Sequence, residues 1–212
     1  MSYPVKIAVI GGTGKSGTYL VRELLRRSFS LRLLVRRPVS ELPAEVIVGN
    51  AIQLDDIRRL LTGCDAVIST LGFGRPPSEP TIFSQTTRNV LQIMAETGIR
   101  RYIVTTGLNV DVSGDRKGPV TAAGTHWMKE TFPVSTADKQ TEYDLLAAST
   151  ADWTLVRLPS IELTDELSPV LADWQDCPGD RISAAGLACF LADQLTSEAW
   201  VGKAPFVANV LS

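Results

Sequence analysis

The segment Val5-Lys-Ile-Ala-Val-Ile-Gly-Gly-Thr-Gly-Lys-Ser-Gly-Thr18 joins a short apolar run to three evenly spaced glycines, Gly11, Gly14 and Gly17. The apolar run is rich in β-branched residues, which is typical of a central parallel strand that is buried on both faces. Tyr19 to Arg27 then carries apolar side chains at a helical spacing. The segment therefore predicts a strand, a tight glycine turn and a helix.

A glycine turn of this kind is suited to binding phosphate. Glycine permits positive φ angles and a close approach of an anion, which the free N–H groups and the positive dipole end of the helix would face. The predicted contacts to a dinucleotide are Gly11, Thr13, Gly14, Lys15, Ser16 and Gly17. A turn that serves only packing is the alternative.

Gly14-Lys15-Ser16 also matches the end of the phosphate loop of nucleoside-triphosphate hydrolases. That motif needs another glycine at the position that Val9 occupies, inside the predicted strand. The match therefore fails, and a dinucleotide is the better ligand.

Length and composition limit the functions that the chain can have. Its 212 residues, 44% of them hydrophobic, suit a single domain covering residues 1–212. A net charge of −2 and no basic stripe argue against nucleic acid. The chain has no apolar run long enough to span a membrane and no signal peptide, so we expect a cytoplasmic protein. Its three cysteines fit no metal or redox spacing, so we expect them to be buried apolar residues and expect no metal.

Strands alternate with helices along the chain. Predicted strands cover Leu31–Val35, Glu45–Val48, Asp65–Thr70, Arg100–Thr106 and Trp153–Leu158, and predicted helices cover Leu54–Leu61 and Phe83–Thr97. This alternation predicts an α/β fold with a doubly wound parallel sheet. Residues 159–212 are expected to form a small lobe on the substrate side, with an irregular stretch at Ile161–Pro178, a strand at Asp180–Ser183, a helix at Ala184–Leu195 and a last strand at Ala204–Leu211.

The residues that follow the second and fourth strands indicate where a cofactor would lie. In dinucleotide-binding folds an acid after the second strand selects NAD, whereas an arginine there accepts the 2′-phosphate of NADP. Arg36 occupies this place and no acid follows before Glu41, which predicts NADP(H) unless Arg36 is simply solvated. Leu71 and Gly72 end the fourth strand, followed by Phe73 and Gly74, and are candidate cofactor contacts or plain turn residues.

The stretch from Val110 to Thr136 reads as an unusually long loop, and such loops often form lids or substrate surfaces. It contains His126, the only histidine, and Trp127. Trp127, and Trp174 further on, are candidate walls for a flat substrate. A structural role is the alternative for both His126 and Trp127.

Several motifs together resemble the NmrA-like, atypical short-chain dehydrogenase/reductase proteins, and most closely the biliverdin-IX-beta reductase/flavin reductase type. They are GGTGKSG in the first turn, VRRP, IVGN, TLG, Lys139-x-x-Glu142 and Asp152-Trp-Thr-Leu-Val-Arg157. The resemblance spans nearly the whole chain. It implies an NAD(P)-binding Rossmann fold, bound NADP(H), and cofactor contacts from Asn50, Thr105, Thr106 and Lys139.

The chain departs from this family at the catalytic positions. Active members carry a serine after the fifth strand and a tyrosine four residues before a lysine. Here the serine position is Gly107, the lysine is Lys139, and Ser135 stands where the tyrosine is expected. Tyr143 lies one helical turn after Lys139 on the same face and is a candidate substitute, although an aromatic residue that helps to bury the helix is the favoured interpretation.

Two functions from different classes follow from the resemblance, and a third is weaker. The favoured one is an NADPH-dependent reductase of a flavin, quinone or other planar small molecule, because the cofactor itself carries the hydride chemistry. The second is an NADP(H)-sensing regulatory protein, which the absent serine and tyrosine would suit. The third is an epimerase that retains its cofactor. The sequence predicts no nucleic-acid or membrane partner and leaves the oligomeric state open.

Overall fold

The computed structural model describes residues 5–39, 42–72 and 79–210. Glu41, Phe73, Gly74 and Leu211, which entered the predictions above, lie outside these residues. The strands are β1 (Lys6–Ile10), β2 (Ser30–Val35), β3 (Glu45–Val48), β4 (Ala66–Ser69), β5 (Arg101–Gly107), β6 (Asp152–Leu158), β7 (Ser160–Glu162), β8 (Val170–Asp173), β9 (Arg181–Ser183) and β10 (Phe206–Asn209). The helices are α1 (Lys15–Arg26), α2 (Leu54–Leu61), α3 (Ile82–Thr97), α4 (Pro119–Thr131), α5 (Pro133–Ala147) and α6 (Ala184–Asp193).

Eight strands form one sheet in the order β3-β2-β1-β4-β5-β6-β10-β8, and all neighbours are parallel except β10 and β8. In this register Val9 lies opposite Leu33 on one side and Ile68 on the other. The strand order reverses between β1 and β4, so the carboxyl ends of these two strands flank a crevice where α/β proteins bind ligands. The predicted doubly wound α/β fold is confirmed.

The two faces of the sheet bury two separate apolar cores, and β1 contributes to both. Ile7 and Val9 pack with residues of α1 and α6, whereas Ala8 and Ile10 pack with residues of α2, α3 and α5. Burying one large aliphatic side chain stabilises a fold by about 1.5–3 kcal/mol. The apolar sequence of β1 thus fixes a central strand, and with it the position of the glycine turn.

Several predicted boundaries are met residue for residue. β3 and α2 have the predicted bounds. α3 ends at Thr97 as predicted and is capped by Gly98, whose φ of 79° gives the left-handed conformation that glycine adopts readily. Ser183 caps α6, since its side chain accepts a hydrogen bond from the Gly186 N–H group.

The predicted loop from Val110 to Thr136 was wrong, because most of it is helix α4 and the start of α5. Thr121 and Thr125 are the buried residues of α4, so the helix has no apolar stripe that its sequence could reveal. Pro119 begins it just after Gly118, a position that proline favours. The predicted irregular stretch Ile161–Pro178 likewise contains β8 and part of β7.

Within the expected lobe, the described residues 159–210 divide between two places. β10 and β8 extend the main sheet and α6 packs beside α1, whereas β7 and β9 pair in a separate two-stranded parallel sheet. The part that resembles the expected lobe is therefore this small sheet with its flanking loops. Its role toward a substrate stays a prediction.

No helix within the described ranges is long and apolar enough to cross a membrane. In the same ranges, no group of His, Cys, Asp or Glu side chains is placed to hold a metal ion. Cys64 is buried as expected, whereas Cys177 and Cys189 are only half-buried, and none of the three forms a disulfide.

Candidate functional site

The turn between β1 and α1 is too tight for side chains at two of its glycines. Gly11 has a φ of 81°, and a Cβ atom there would lie 2.7 Å from the carbonyl oxygen of Thr70. A Cβ atom on Gly17 would lie 2.1 Å from the Gly11 carbonyl oxygen. The Gly14 N–H group closes the turn by donating to that same oxygen over 2.9 Å. Glycine is therefore required both for the backbone angle and for the contact between helix and strand.

The first turn of α1 has no internal partner for its amide groups. Gly14 provides no side-chain cap, and no acidic residue stands in the first turn. The N–H groups of Lys15, Ser16 and Gly17 have no hydrogen-bond acceptor among the described residues. Free N–H groups at the positive end of a helix dipole bind anions. The glycine turn and the free N–H groups of Lys15, Ser16 and Gly17, called the cradle below, could hold the pyrophosphate of a dinucleotide. Thr13 and Lys15 are exposed beside it.

Arg36 and Asn50 lie at the carboxyl ends of β2 and β3, as predicted. Arg36 and its neighbour Arg37 are exposed, and neither forms a hydrogen bond or ion pair with a described residue. Asn50 is tied into its own turn, where its N–H group donates to Asp56 Oδ2 over 2.8 Å and its Oδ1 accepts from the Ile52 N–H group. Arg36 is thus available to bind a phosphate, whereas the backbone N–H group and the Oδ1 atom of Asn50 stabilise the turn after β3.

A cavity of about 500 Å³ opens at the carboxyl ends of β4, β5 and β6. The predicted contacts Ser16, Leu71, Gly72, Thr105, Thr106 and Lys139 line it together. Its other walls are mainly apolar and come from α4 and the end of β6, with Val120, Trp127, Met128, Leu158, Pro159 and Ile161 among them. The cavity therefore runs from the cofactor cradle to an apolar chamber under α4.

Lys139 is the buried cation of this cavity, with 6% of its surface exposed. Its Nζ donates to Thr106 Oγ1 over 3.3 Å and lies 4.0 Å from the centroid of the Phe83 ring. Burial lowers the pKa of Lys139, while the nearby carboxylates of Glu142 and Asp138 raise it in part. The structure thus places the predicted lysine in the cavity wall.

The structure accounts for the absence of a serine at Gly107 but not for the absence of a tyrosine at Ser135. A Cβ atom on Gly107 would lie 2.5 Å from Met128 Cε and 2.8 Å from Asn109 Oδ1, so a serine would need both to move. Ser135 is buried, and its Oγ has no hydrogen-bond partner within the described part of the chain. Nothing in the structure explains why a tyrosine is absent there.

Tyr143 does not line the cavity. Its ring packs edge-on against Trp153 with the ring centroids 6.1 Å apart, and it borders the core between the sheet and α3. Burial raises the pKa of its phenol. The placement supports the alternative reading, an aromatic residue that helps to bury α5.

The aromatic and histidine side chains proposed as substrate contacts lie in different parts of the structure. Trp127 lines the cavity mouth and is 59% exposed. His126 faces away on α4, where its Nε2 lies 3.2 Å from Glu130 Oε1. Trp174 does not line the cavity and packs beside Gly114. Only Trp127 is placed to contact a molecule in the cavity.

Two buried groups were missed by the sequence reasoning. Arg157 is fully buried, and its Nη1 donates to both carboxylate oxygens of Asp115 over 2.8 and 2.7 Å. Its Nε donates to the Ala204 carbonyl oxygen, and its guanidinium lies 3.5 Å from the centroid of the Phe206 ring. Arg157 therefore ties the segment before α4 to β10.

The other missed group is the pair of carboxylates on α5. Asp138 accepts from the N–H groups of Phe83 and Ser84 at the start of α3. Glu142 accepts from Thr87 Oγ1 over 2.8 Å and is 2% exposed. The only signal in the sequence was the Lys139-x-x-Glu142 spacing, which puts both side chains on one helix face.

Comparisons with known proteins agree with this geometry. A sequence model of a protein family described as NAD(P)H-binding matches residues 11–198. A curated protein of Synechocystis, described as "Putative dihydroflavonol 4-reductase", is 32% identical over 118 residues, which are 50% of this chain and 34% of that protein. The chain thus spans about a third of the length of this relative.

Solved structures with the same fold cover almost the whole chain. A short-chain dehydrogenase/reductase of Veillonella parvula in complex with NADP has a TM-score of 0.78 at 16% identity, covering 98% of this chain and 95% of that one. A protein of Streptococcus pneumoniae, described as "a putative NADH-flavin reductase", has a TM-score of 0.74 at 22% identity, covering 97% and 99%. Identities this low show a shared fold.

Proposed function

This chain belongs to the NAD(P)H-binding family, and on that basis we propose that it binds NADP(H) and reduces a flavin, quinone or other planar acceptor by direct hydride transfer. The observation that carries the proposal is the continuity of one cavity. The cavity joins the start of α1 and the buried Lys139 to an apolar chamber walled by Trp127 and Met128. A cofactor held at the first end would have its reactive ring beside an acceptor at the second.

The cofactor would be held mainly by the start of α1 and by the ends of the strands. The free N–H groups of Lys15, Ser16 and Gly17 would bind the pyrophosphate. Arg36 would bind the 2′-phosphate by donating hydrogen bonds to it. This favours NADP(H) over NAD(H), because a charge-assisted hydrogen bond contributes about 1.5–3 kcal/mol. Thr106 and Lys139 would bind the part of the cofactor that enters the cavity.

The chemistry that the cofactor supplies when bound is hydride transfer from its nicotinamide ring. The residues of this chain orient the two reactants and exclude water. Trp127, Met128 and Leu158 offer apolar surface for a flat ring, and such clefts suit small ligands. A flavin accepts hydride with little help from protein acids, so the absent tyrosine is compatible with this reaction.

A second candidate is an NADP(H) sensor that passes its bound state to a partner protein. The observations that favour it are Gly107 and Ser135, which replace both hydroxyl groups of active family members. A sensor needs the cradle and Arg36, yet it has no use for an apolar chamber that opens beside the cofactor. For this reason we favour the reductase.

The deciding experiment measures NADPH oxidation by stopped flow at saturating NADPH, with FMN, a small quinone and biliverdin as acceptors. NADPH binding is measured in parallel by fluorescence. Turnover above the rate without protein supports the reductase and identifies the acceptor class. Tight NADPH binding with no turnover on any of the three contradicts the reductase and favours the sensor.

A further inference from the structure

Lys139 uses little of its hydrogen-bonding capacity on the protein. An ammonium group carries three N–H donors, but Nζ has one described hydrogen-bond acceptor, Thr106 Oγ1, at 3.3 Å. No carboxylate among the described residues lies within ion-pair distance of it. One side of Nζ faces the Phe83 ring at 4.0 Å. Because Lys139 is buried and lines the cavity, its other donors are left for the cofactor and the acceptor that would bind there.

The described lining of the cavity offers one other titratable side chain, Asp180. Asp180 lies at the exposed rim, where its Oδ1 is 3.5 Å from Arg181 Nε, so it is in contact with solvent and a surface cation and is not buried as Lys139 is. The remaining polar residues of the lining are serines and threonines, whose hydroxyl groups are weak acids. Among the described residues of the lining, Lys139 is therefore the buried N–H acid.

Glu142 lies one helical turn after Lys139 on α5 and is buried with it. One carboxylate oxygen accepts from Thr87, which in turn contacts the hydroxyl of Tyr102 over 3.0 Å, while the other, Oε2, has no partner among the described residues. The groups facing Glu142 are thus Thr87 from α3, Tyr102 from β5, and Lys139 and Asp138 from α5. Lys139 is the only cation among them.

We infer that Lys139 donates the proton that completes reduction of the acceptor, and that Glu142 is a positioning residue that keeps Lys139 charged. The inference rests on the proposed reductase function and deepens it, since it assigns the acceptor class. That class has a carbonyl or quinone oxygen that becomes basic when hydride arrives. A charged group buried at low dielectric acts strongly on its neighbours, even without a direct ion pair.

Reduction of the acceptor requires one hydride and one proton. A nicotinamide cofactor held by the start of α1, Thr106 and Lys139 would supply the hydride and its electron pair, so that the acceptor carbon or conjugated ring would be reduced and the cofactor oxidised. The acceptor oxygen, now negatively charged, forms an O–H bond as one N–H bond of the Lys139 ammonium breaks. Lys139 is left as a neutral amine and takes a new proton from water at the cavity mouth after the product leaves.

Electrostatics sets the pH range in which the pair acts. Burial lowers the pKa of Lys139 and raises the pKa of Glu142 to about 7. Above this pH Glu142 is ionised and favours the charged form of Lys139, which counteracts the effect of burial. Removing the carboxylate therefore moves the loss of the Lys139 proton to lower pH.

The test that does not depend on activity is a titration of Lys139 by NMR on protein labelled with ¹³C-lysine. The Lys139 resonance is identified from its absence in Lys139→Arg. We expect Glu142→Gln, which keeps an oxygen for Thr87, to shift the titration to lower pH. Asp144→Asn removes an exposed carboxylate from the same helix and should leave the titration unchanged. An identical titration in wild type and Glu142→Gln overturns the role of Glu142.

The kinetic test uses a quinone and compares kcat, KM and the pH profile. Lys139→Met should reduce kcat by about a hundredfold or more at saturating NADPH, which is the usual contribution of a general acid, and the loss of the proposed cofactor contact is measured separately as NADPH affinity. In Glu142→Gln the alkaline limb of the kcat profile should move to lower pH, in step with the NMR titration. A raised KM with unchanged kcat in Lys139→Met overturns the donor role. If the wild-type protein turns over none of the acceptors, both the reductase function and the donor role of Lys139 are overturned. The NMR titration then still shows whether Glu142 changes the titration of Lys139.

Discussion

Two helices begin at the carboxyl edge of the same sheet, α1 after β1 and α3 after β4, and their first turns differ in one respect. The start of α1 has no acid and leaves the N–H groups of Lys15, Ser16 and Gly17 without an acceptor. The start of α3 receives the carboxylate of Asp138 from α5, which accepts from Phe83 N over 2.8 Å and from Ser84. The same positive helix end is open in one case and filled by the protein in the other.

The difference separates a binding site from a packing contact. A helix N-terminus stabilises negative charge whatever its source. At α3 the charge is a side chain, so the helix end joins α3 to α5 and is unavailable to a ligand. At α1 no described residue supplies the charge, so the open end is the place where binding of an anion can be tested. Substitutions that open one end or fill the other test this distinction.

The largest effect is expected from Gly17→Ala, which destroys the open end of α1. The new Cβ atom would lie 2.1 Å from the Gly11 carbonyl oxygen, so the turn must shift. We expect NADPH affinity to fall roughly a hundredfold or more and the free energy of unfolding to fall by about 1–3 kcal/mol. Fluorescence titration and urea unfolding measure the two losses.

Gly14→Ala serves as the matched control in the same turn. Its Cβ atom would lie 3.1 Å from the same oxygen, a contact that a small adjustment relieves. Stability should change much less than in Gly17→Ala. Equal destabilisation by the two substitutions would contradict the assigned contact.

Ser16→Asp should fill the open end of α1 with the protein's own charge and so make it resemble α3. A carboxylate in the first turn stabilises a helix by about 0.3–1 kcal/mol, while repulsion of the pyrophosphate costs several kcal/mol, or roughly a hundredfold in NADPH affinity. Stability and affinity should therefore move in opposite directions. Ser16→Asn, of the same size without charge, should bind NADPH within a few-fold of wild type. Unchanged NADPH binding in Ser16→Asp would mean that the cradle does not hold the pyrophosphate.

Asp138→Ala performs the reverse change and opens the end of α3. The two backbone N–H groups and the Ser84 hydroxyl lose a buried acceptor, which should lower the free energy of unfolding by about 1–3 kcal/mol. Urea unfolding gives the value. Asp55→Ala removes an exposed acid from the first turn of α2 and should cost less than about 1 kcal/mol. If both substitutions had the same small effect, Asp138 would not act as the internal partner of α3.

Arg36→Ala gives the smallest expected effect and refines the comparison. The open end of α1 would bind the pyrophosphate that NADPH and NADH share, whereas Arg36 would bind only the 2′-phosphate. We expect NADPH affinity to fall about tenfold and NADH affinity to stay nearly constant, as measured by fluorescence titration. Arg37→Ala, at the neighbouring exposed arginine, is the control. An equal loss for both cofactors would remove the 2′-phosphate argument.

The sequence predicts the α1 end of the molecule well because everything there is local. The apolar run of β1, the glycines and the following helix are contiguous, and each residue constrains its neighbours. The bounds of β3 and α2 follow from the same kind of short-range pattern. Whether Arg36 or the cradle binds NADPH stays a prediction that the substitutions above address.

The acceptor end could not be predicted in the same way. Helix α4 buries two threonines and no apolar stripe, so periodicity gives no signal. The contact between Asp138 and the start of α3 joins residues far apart in the chain, and only the tertiary fold brings them together. Tyr143 shows the same limit, since its spacing from Lys139 is right for one helix face while its ring turns toward Trp153.

The buried Arg157 has a consequence for the order in which the protein is completed during synthesis. Its side chain joins Asp115, before α4, to Ala204 and Phe206, which leave the ribosome much later than Asp115. The glycine turn is translated far earlier, and the strands β2 and β4 that pair with β1 also precede Asp115, although α1 packs on α6 only later. In a nascent chain the Arg157 contacts that join the segment before α4 to β10 can therefore form only after β10 has been made and has joined β6.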